Sequence, residues 1–320
     1  MSSDMRSRFR GCLLAMACGD ALGAGLEFMT PEAIKERFGV VTDFAGGGPF
    51  DWPAGHYTDD TELALRLAES LIAYPNVNLA DISRKWLEWL DSDPRDVGNL
   101  TRAALLRVRA CLQSNRDPRE AGQETWVATG RDSAGNGGLM RTAPVGLRYA
   151  WERKRLLEAA DDICAITHYD PRARASCRAF CLAISQFLTE EGQRAIDLHA
   201  LAEAVADLSP PTAEAITAVF DLEAADIPSS GYTLHTLQAA LWPVERCMSL
   251  EEGIILVVNL GYDTDTCGAV AGALLGARDG EEAIPTRWLK TLHNVNYIRE
   301  IADRLYEIAS TSRPVEARAP

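Results

Sequence analysis

The 320-residue chain carries 46 acidic against 32 basic side chains, a formal net charge of −14, with 47% apolar and 24% charged residues. That is the composition of a soluble globular protein long enough to bury a large core. The acidic excess argues against a broad electrostatic grip on nucleic acid or an anionic membrane, and no apolar run is long enough to span a bilayer.

The chain opens with Arg6, Arg8 and Arg10 before the apolar GCLLAMAC, which imitates a leader peptide. The run is interrupted at once by Gly19-Asp20, too early for an apolar leader core. Gly11, Ala15, Gly19 and Gly23 recur every fourth residue, so the expectation is a helix over 6–24 lying backbone-close to a neighbour. Pro31 suits a first helical position, and a short helix is expected over 31–38. The flexible Gly46-Gly47-Gly48-Pro49 leads to GHYTDDTELAL, where Leu63, Leu67 and Leu71 have helical period. Helices are then expected over 79–91 and 100–112, with Asp117-Pro118 as a further helix start. After the polar loop TGRDSAGNGGLM come helices over 143–151, 154–166, 170–189, 192–208 and 212–225. Beyond the Pro228–Gly231 break they continue over 232–242 and 250–260, where Ser249 and Glu252 have capping-box spacing and Gly261 fits the stop. Gly268, Gly272 and Gly276 repeat the close-packing pattern of the first helix, and helices near 285–292 and 296–309 close the chain. Alternating strand patterns are nearly absent and no linker interrupts the run. The expectation is one all-α domain.

The eight cysteines show no CxxC pair and no framework spacing. They read as buried, reduced thiols of a cytoplasmic protein.

Two segments carry most of the chemistry. Thr58-Asp59-Asp60 sets one hydroxyl and two carboxylates on consecutive residues at a helix entrance, and Asp263-Thr264-Asp265-Thr266 repeats that pattern about two hundred residues later. Each alone reads as helix capping, with Asp59 and Glu62 at capping-box spacing. Together they point to a shared site, since four carboxylates meeting without a cation would be forced toward protonation. Two divalent ions would balance Asp59, Asp60, Asp263 and Asp265. Oxygen-only donors with no Cys or His favour Mg2+ or Mn2+ over zinc. Gly135-Asn136-Gly137-Gly138 suits either an anion cradle, completed by a helix starting near Thr142, or a plain flexible turn. Asp96 and Glu27 are lone carboxylates in expected loops, where the residues by themselves favour solvated or helix-capping roles. His168 fits capping or packing, and Tyr232 fits the core.

The motifs GCLLAMACGDALGAGLEF, GHYTDDTELAL, DVGNLTRAAL, GNGGLMRTAPVGL, ITHYDPRA, SGYTLHTLQAALW and VNLGYDTDTCGAVAGALLGA run in order from about residue 8 to residue 278. Together they resemble the ADP-ribosylglycohydrolase family, close to its dinitrogenase reductase-activating branch. The resemblance implies an all-helical fold with a two-metal cleft. Position by position, Thr58, Asp59, Asp60, Asp263, Asp265 and Thr266 match the family's metal ligands, and Glu27 matches a mobile acidic residue beside them. Asp96 and Asn99 match the Asp-x-Gly-Asn segment of the arginine-directed branch, in which the aspartate helps bind or activate at the scissile bond. Gly135, Asn136, Gly137 and Gly138 match the diphosphate loop, His168 a histidine near the ADP moiety, and Tyr232 a tyrosine lining the cleft. Val97 replaces a commoner isoleucine. Tyr262 stands where a smaller residue is often found, a departure that bears on the cleft wall and not on the metals.

The function implied is removal of ADP-ribose from an arginine of a modified protein. The alternatives are a serine-linked, nucleobase or small-molecule conjugate, or a non-catalytic ADP-ribose-binding protein. A nucleic-acid target is disfavoured by the charge of −14.

Overall fold

A computed structural model describes residues 5–190 and 193–313. Helices α1 (Met5–Gly23), α2 (Pro31–Phe38), α3 (Asp59–Ala73), α4 (Leu79–Asp91), α5 (Asn99–Gln113) and α6 (Pro118–Ala128) form the first part. Next come α7 (Ala143–Arg148), α8 (Arg153–Ala165), α9 (Pro171–Thr189), α10 (Leu198–Glu203) and α11 (Pro210–Ala218). The last part comprises α12 (Thr233–Glu245), α13 (Leu250–Val258), α14 (Thr264–Asp279), α15 (Thr286–Thr291) and α16 (Val295–Ala309). Among the described residues the only β pairing is two isolated bridges, Gly47 with Trp52 and Gly135 with Tyr232. No helix among them is long and apolar enough to cross a membrane.

The segment that imitates a leader is α1, buried along almost its whole length. A helix apolar all round belongs in the middle of a protein, and here its partner is the equally buried α14. The two run antiparallel in backbone contact. A Cβ on Gly19 would sit 2.0 Å from the Gly268 carbonyl oxygen, one on Gly272 2.2 Å from Ala15 O, and one on Gly276 2.1 Å from Gly11 O. The four-residue glycine spacing of both segments is therefore one interface, each supplying the gap the other fills. Arg10 anchors the start of α1 to Asp303 of α16 through bonds of 2.7 and 2.8 Å.

This pairing decides where the acidic segments lie. At the C-terminal end of α1, Thr264 Oγ1 donates to Gly23 O at 2.8 Å, which fixes the entrance of α14. One turn earlier Asp20, fully buried, accepts from Thr58 N (2.8 Å), Thr61 N (3.1 Å) and Thr61 Oγ1 (2.6 Å). The entrance of α3 is thus tied to the same helix. The loop holding Glu27 is pinned to the loop before Asp263 by Phe28 N to Tyr262 O and Tyr262 N to Met29 O, both 2.7 Å.

Most helix boundaries agree with the sequence reading, and the differences have local causes. Helix α3 begins at Asp59, with Thr58 as N-cap accepting from Asp60 N, so the Asp59–Glu62 capping box does not form. Glu62 instead accepts from the Trp89 indole. The expected box at Ser249 and Glu252 does form. In place of one helix over 192–208 only Leu198–Glu203 is helical, because Asp197 caps a fresh start by accepting from Ala200 N; residues 191 and 192 lie outside the described residues. The helix expected over 212–225 starts earlier and ends sooner, with Ser209 as its cap and Pro210 at its first position. Helix α7 stops at Arg148, three residues short of expectation, as the chain turns before α8. Seven cysteines are buried as expected, whereas Cys247 is exposed.

Gly272→Ala tests the helix contact away from the cleft. An added methyl against backbone has no side chain to displace, so it should cost about 1–3 kcal/mol or more and lower the denaturant midpoint. An unchanged midpoint would mean that α1 and α14 do not touch there.

Candidate active site

Between the entrances of α3, α5 and α14 lies a cleft of about 580 Å³. Its lining brings together Glu27, Asp59, Asp60, Asp96, Asn99, Gly135, Asn136, Gly137, His168, Asp263, Asp265 and Thr266. Three of the singled-out residues fall outside the lining. Thr58 is buried beneath it, with Oγ1 donating to Asp60 Oδ2 at 3.1 Å. Gly138 faces the core, where a Cβ would meet Cys164 Sγ at 2.7 Å. Tyr232, expected in the cleft wall, is half-buried at the cap of α12, its backbone bridging Gly135 and its ring beneath the Arg172 guanidinium at 5.6 Å.

The two acidic segments meet directly. Asp60 Oδ2 receives Thr58 Oγ1 from its own segment and Thr266 Oγ1, at 3.5 Å, from the other. Asp60 Oδ1, Asp265 Oδ1 and Glu27 Oε2 are buried with no hydrogen-bond partner. Glu27, Asp96 and Asp265 each place a carboxylate oxygen within 4.8 Å of the others. Buried oxygens without donors are costly. Burial first, and neighbouring carboxylates second, raise Asp59, Asp60 and Asp265 well above the usual carboxylate range. The same causes push Glu27 up to about 9, with Asp96 its leading neighbour, and burial raises Asp96 itself. Such a set of hard oxygen donors, short of positive charge, fits divalent cations of the magnesium type.

The glycine loop is wired to this cluster. Asn136 Nδ2 donates to Asp263 Oδ2 at 2.8 Å and to Thr236 Oγ1 at 2.9 Å, while its backbone N–H bonds Gly231 O at 3.1 Å. One side chain therefore fixes loop, carboxylate and α12 together. Beneath the loop lies His168, buried, with a Cβ on Gly137 placed 2.9 Å from its Nε2 and Cε1. Burial first, then the charge of Arg141, drives the imidazole down to about 3, so it is neutral at ordinary pH. Asn99, exposed, opens α5 and lines the cleft, and the Gly98 amide before it supports the Asp59 carboxylate. Tyr262, 50% exposed and at φ 61°, does not line the cleft, so its bulk leaves the donor set intact.

Two site residues escaped the sequence reading. Asp20 has no contact with the cleft, yet it sets the register of Thr58-Asp59-Asp60. Its signal was present, as the sole charged residue between Arg10 and Glu27 in a small-residue helix. Arg141 is fully buried below the acidic residues with its guanidinium 3.9 Å above the Trp86 ring. Burial lowers it to about 10, so it stays protonated at neutral pH and offsets part of the nearby negative charge.

Known proteins similar to this chain share one family. The model of the family described as ADP-ribosylglycohydrolase matches residues 1–314. An ADP-ribosylarginine hydrolase, Tri1, of Serratia proteamaculans is 30% identical over 96% of this chain and 81% of its own length. The ADP-ribosyl-[dinitrogen reductase] glycohydrolase of Rhodospirillum rubrum is 32% identical over 90% of this chain and 91% of its own. A solved structure described as an ADP-ribosylglycohydrolase-related protein complex is 36% identical, covers 95% of this chain and 99% of its own, and superposes with a TM-score of 0.75. A match over nearly the whole chain, with the acidic segments and the glycine loop meeting in one cleft, leads to one conclusion: the chain belongs to the ADP-ribosylglycohydrolase family.

Proposed function

We propose that the enzyme is a metal-dependent hydrolase of mono-ADP-ribosylated arginine on proteins. The observation that carries this reading is the meeting of Asp60 and Thr266 over a set of carboxylate oxygens that have no donors. Thr58, Asp59, Asp60, Asp263, Asp265 and Thr266 would hold two divalent ions, Mg2+ or Mn2+. When bound, such ions supply positive charge for the ribose hydroxyls and acidify water.

The remaining chemistry belongs to the side chains. Asp96 and Glu27 face the cleft on the side of Asp265 and are suited to orient and deprotonate the attacking water. The bond at the proximal ribose opens through an oxocarbenium-like state, which neighbouring carboxylates stabilise. The glycine loop and His168 take the anionic ADP portion, and Asn99, at the start of α5, lines the cleft with them. The leaving group helps to choose the linkage. ADP-ribosyl-arginine is already cationic and departs as a neutral guanidine, so it needs little help from an acid. A serine linkage would shed an alkoxide and need more. Two of the similar proteins described above carry arginine-linked or dinitrogen reductase-linked ADP-ribose hydrolysis in their names, which supports the same choice.

Mass spectrometry of ADP-ribosylated arginine and serine peptides, incubated with the enzyme with and without chelator, tests the reading. Release from arginine, abolished by chelator, is expected. Release from serine alone would move the reading to the other linkage. Asp60→Ala and Asp263→Ala should each lower turnover by more than about 100-fold, the upper end of what a change one layer further out costs, with helical content retained. Near-normal activity of either variant would contradict the ligand assignment.

A second prediction concerns stability. Without cations, folding raises the carboxyl pKa values: Glu27 from 4.5 to about 9 and Asp20 from 3.8 to about 7. The folded state then binds more protons than the unfolded one, so stability is fully present below about pH 4 for these groups and is lost as pH rises toward 9. In chelator the melting temperature should fall across that window, and added Mn2+ should raise it most at the alkaline end. A melting temperature indifferent to Mn2+ at every pH would contradict the metal reading.

A further inference from the structure

Three buried side chains stand in a row beneath the glycine loop, and the acidic cluster does not account for them. Arg141 donates through Nη2 to Thr167 Oγ1, and that oxygen lies 2.8 Å from His168 Nδ1. A guanidinium has only donors to offer, so Arg141 occupies one of the hydroxyl's two acceptor positions. The hydroxyl's own hydrogen still needs an acceptor. Among the described residues His168 Nδ1 is the one found within reach of it. Were Nδ1 to carry the proton instead, the hydroxyl hydrogen would be left without a partner in a site 1% exposed, a costly arrangement. Thr167 therefore donates and Nδ1 accepts. A neutral imidazole that accepts at Nδ1 bears its hydrogen on Nε2.

The opposite ring edge is the one left open by the glycines. A Cβ on Gly137 would lie 2.9 Å from Nε2, and one on Gly135 3.6 Å from it, so side chains at these positions would crowd the nitrogen. His168 lines the cleft, and no hydrogen bond from Nε2 to another of the described residues is formed. The row is also anchored. Arg141 lies on the Trp86 ring, and the Trp86 indole N–H donates to Leu63 O of α3 at 3.2 Å, the helix that carries Asp59 and Asp60.

We propose that Arg141 and Thr167 form a polarity relay that holds His168 as the Nε2–H tautomer, a neutral donor presented through the glycine loop to an anionic oxygen of the ligand. Arg141 and Thr167 are positioning residues; His168 makes the contact. The relay decides the sign of that contact, because the other tautomer would turn a lone pair toward the anion. The histidine's low pKa, about 3, keeps the donor uncharged at neutral pH. The identity of the anion, an ADP-ribose diphosphate oxygen, rests on the function proposed above; the tautomer does not.

The test is 15N-resolved NMR of the histidine side chains at neutral pH in wild type, Thr167→Val and Thr167→Ser, paired with calorimetric binding of ADP-ribose. In wild type without ligand, His168 should show a protonated Nε2 and a bare Nδ1. Thr167→Val should lose that fixed state and bind ADP-ribose on the order of tenfold more weakly, the worth of one neutral hydrogen bond. Thr167→Ser, which keeps the hydroxyl, should restore both. A wild-type His168 protonated on Nδ1, or a Val variant with the same tautomer and affinity as wild type, overturns the relay. The wild-type spectrum decides even where the Val variant does not fold. The expected tautomer in a wild type that does not bind ADP-ribose supports the relay and counts against the ligand assignment alone.

Discussion

The site depends on the backbone contact between α1 and α14. Because glycines on both helices let the two backbones touch, the end of α1 lies against the start of α14, and Thr264 is bonded to Gly23. The same end of α1 carries Asp20, whose carboxylate gathers two backbone amides and a hydroxyl at the start of α3. One buried helix thus sets the positions of two acidic segments that are about two hundred residues apart in the chain. Side chains larger than glycine along this seam would separate the helices, and the segments with them.

Once gathered, the carboxylates create an electrostatic demand. Asp59, Asp60 and Asp265 are buried, and two of their oxygens, Asp60 Oδ1 and Asp265 Oδ1, meet no donor. The nearby permanent cation, Arg141, lies below the cluster and offsets only part of its charge, while His168 is held neutral. Such a site is stable with protons on several carboxylates or with cations among them. If cations are held there, as proposed, their binding is linked to pH and to folding.

Much of this was legible in the chain. The four-residue glycine spacing announced close helix packing, although nothing in a period reveals which two helices are partners. The acidic segments stood out by composition. Their alternative reading as caps was half right, since Thr58 both caps α3 and bonds Asp60. Asp20 was missed because a lone carboxylate in an apolar helix shows its purpose only when the three donors it serves, on another helix, are in view. Arg141 was missed for the same reason, its partners Trp86 and Thr167 being distant in sequence. Tyr232 stands at the start of α12, its backbone bridging Gly135 and its ring 5.6 Å from the Arg172 guanidinium, contacts that no motif announces. Helix ends near 148, 197 and 209 were set by local caps and turns, which compete with periodicity and win at its margins.

The most direct test of the central claim is anomalous diffraction at the manganese edge from crystals grown with Mn2+. Two ions bound among Asp59, Asp60, Asp263 and Asp265, with the Thr58 and Thr266 hydroxyls beside them, is the predicted result. No ion there under saturating Mn2+, or ions held only elsewhere on the acidic surface, would contradict it.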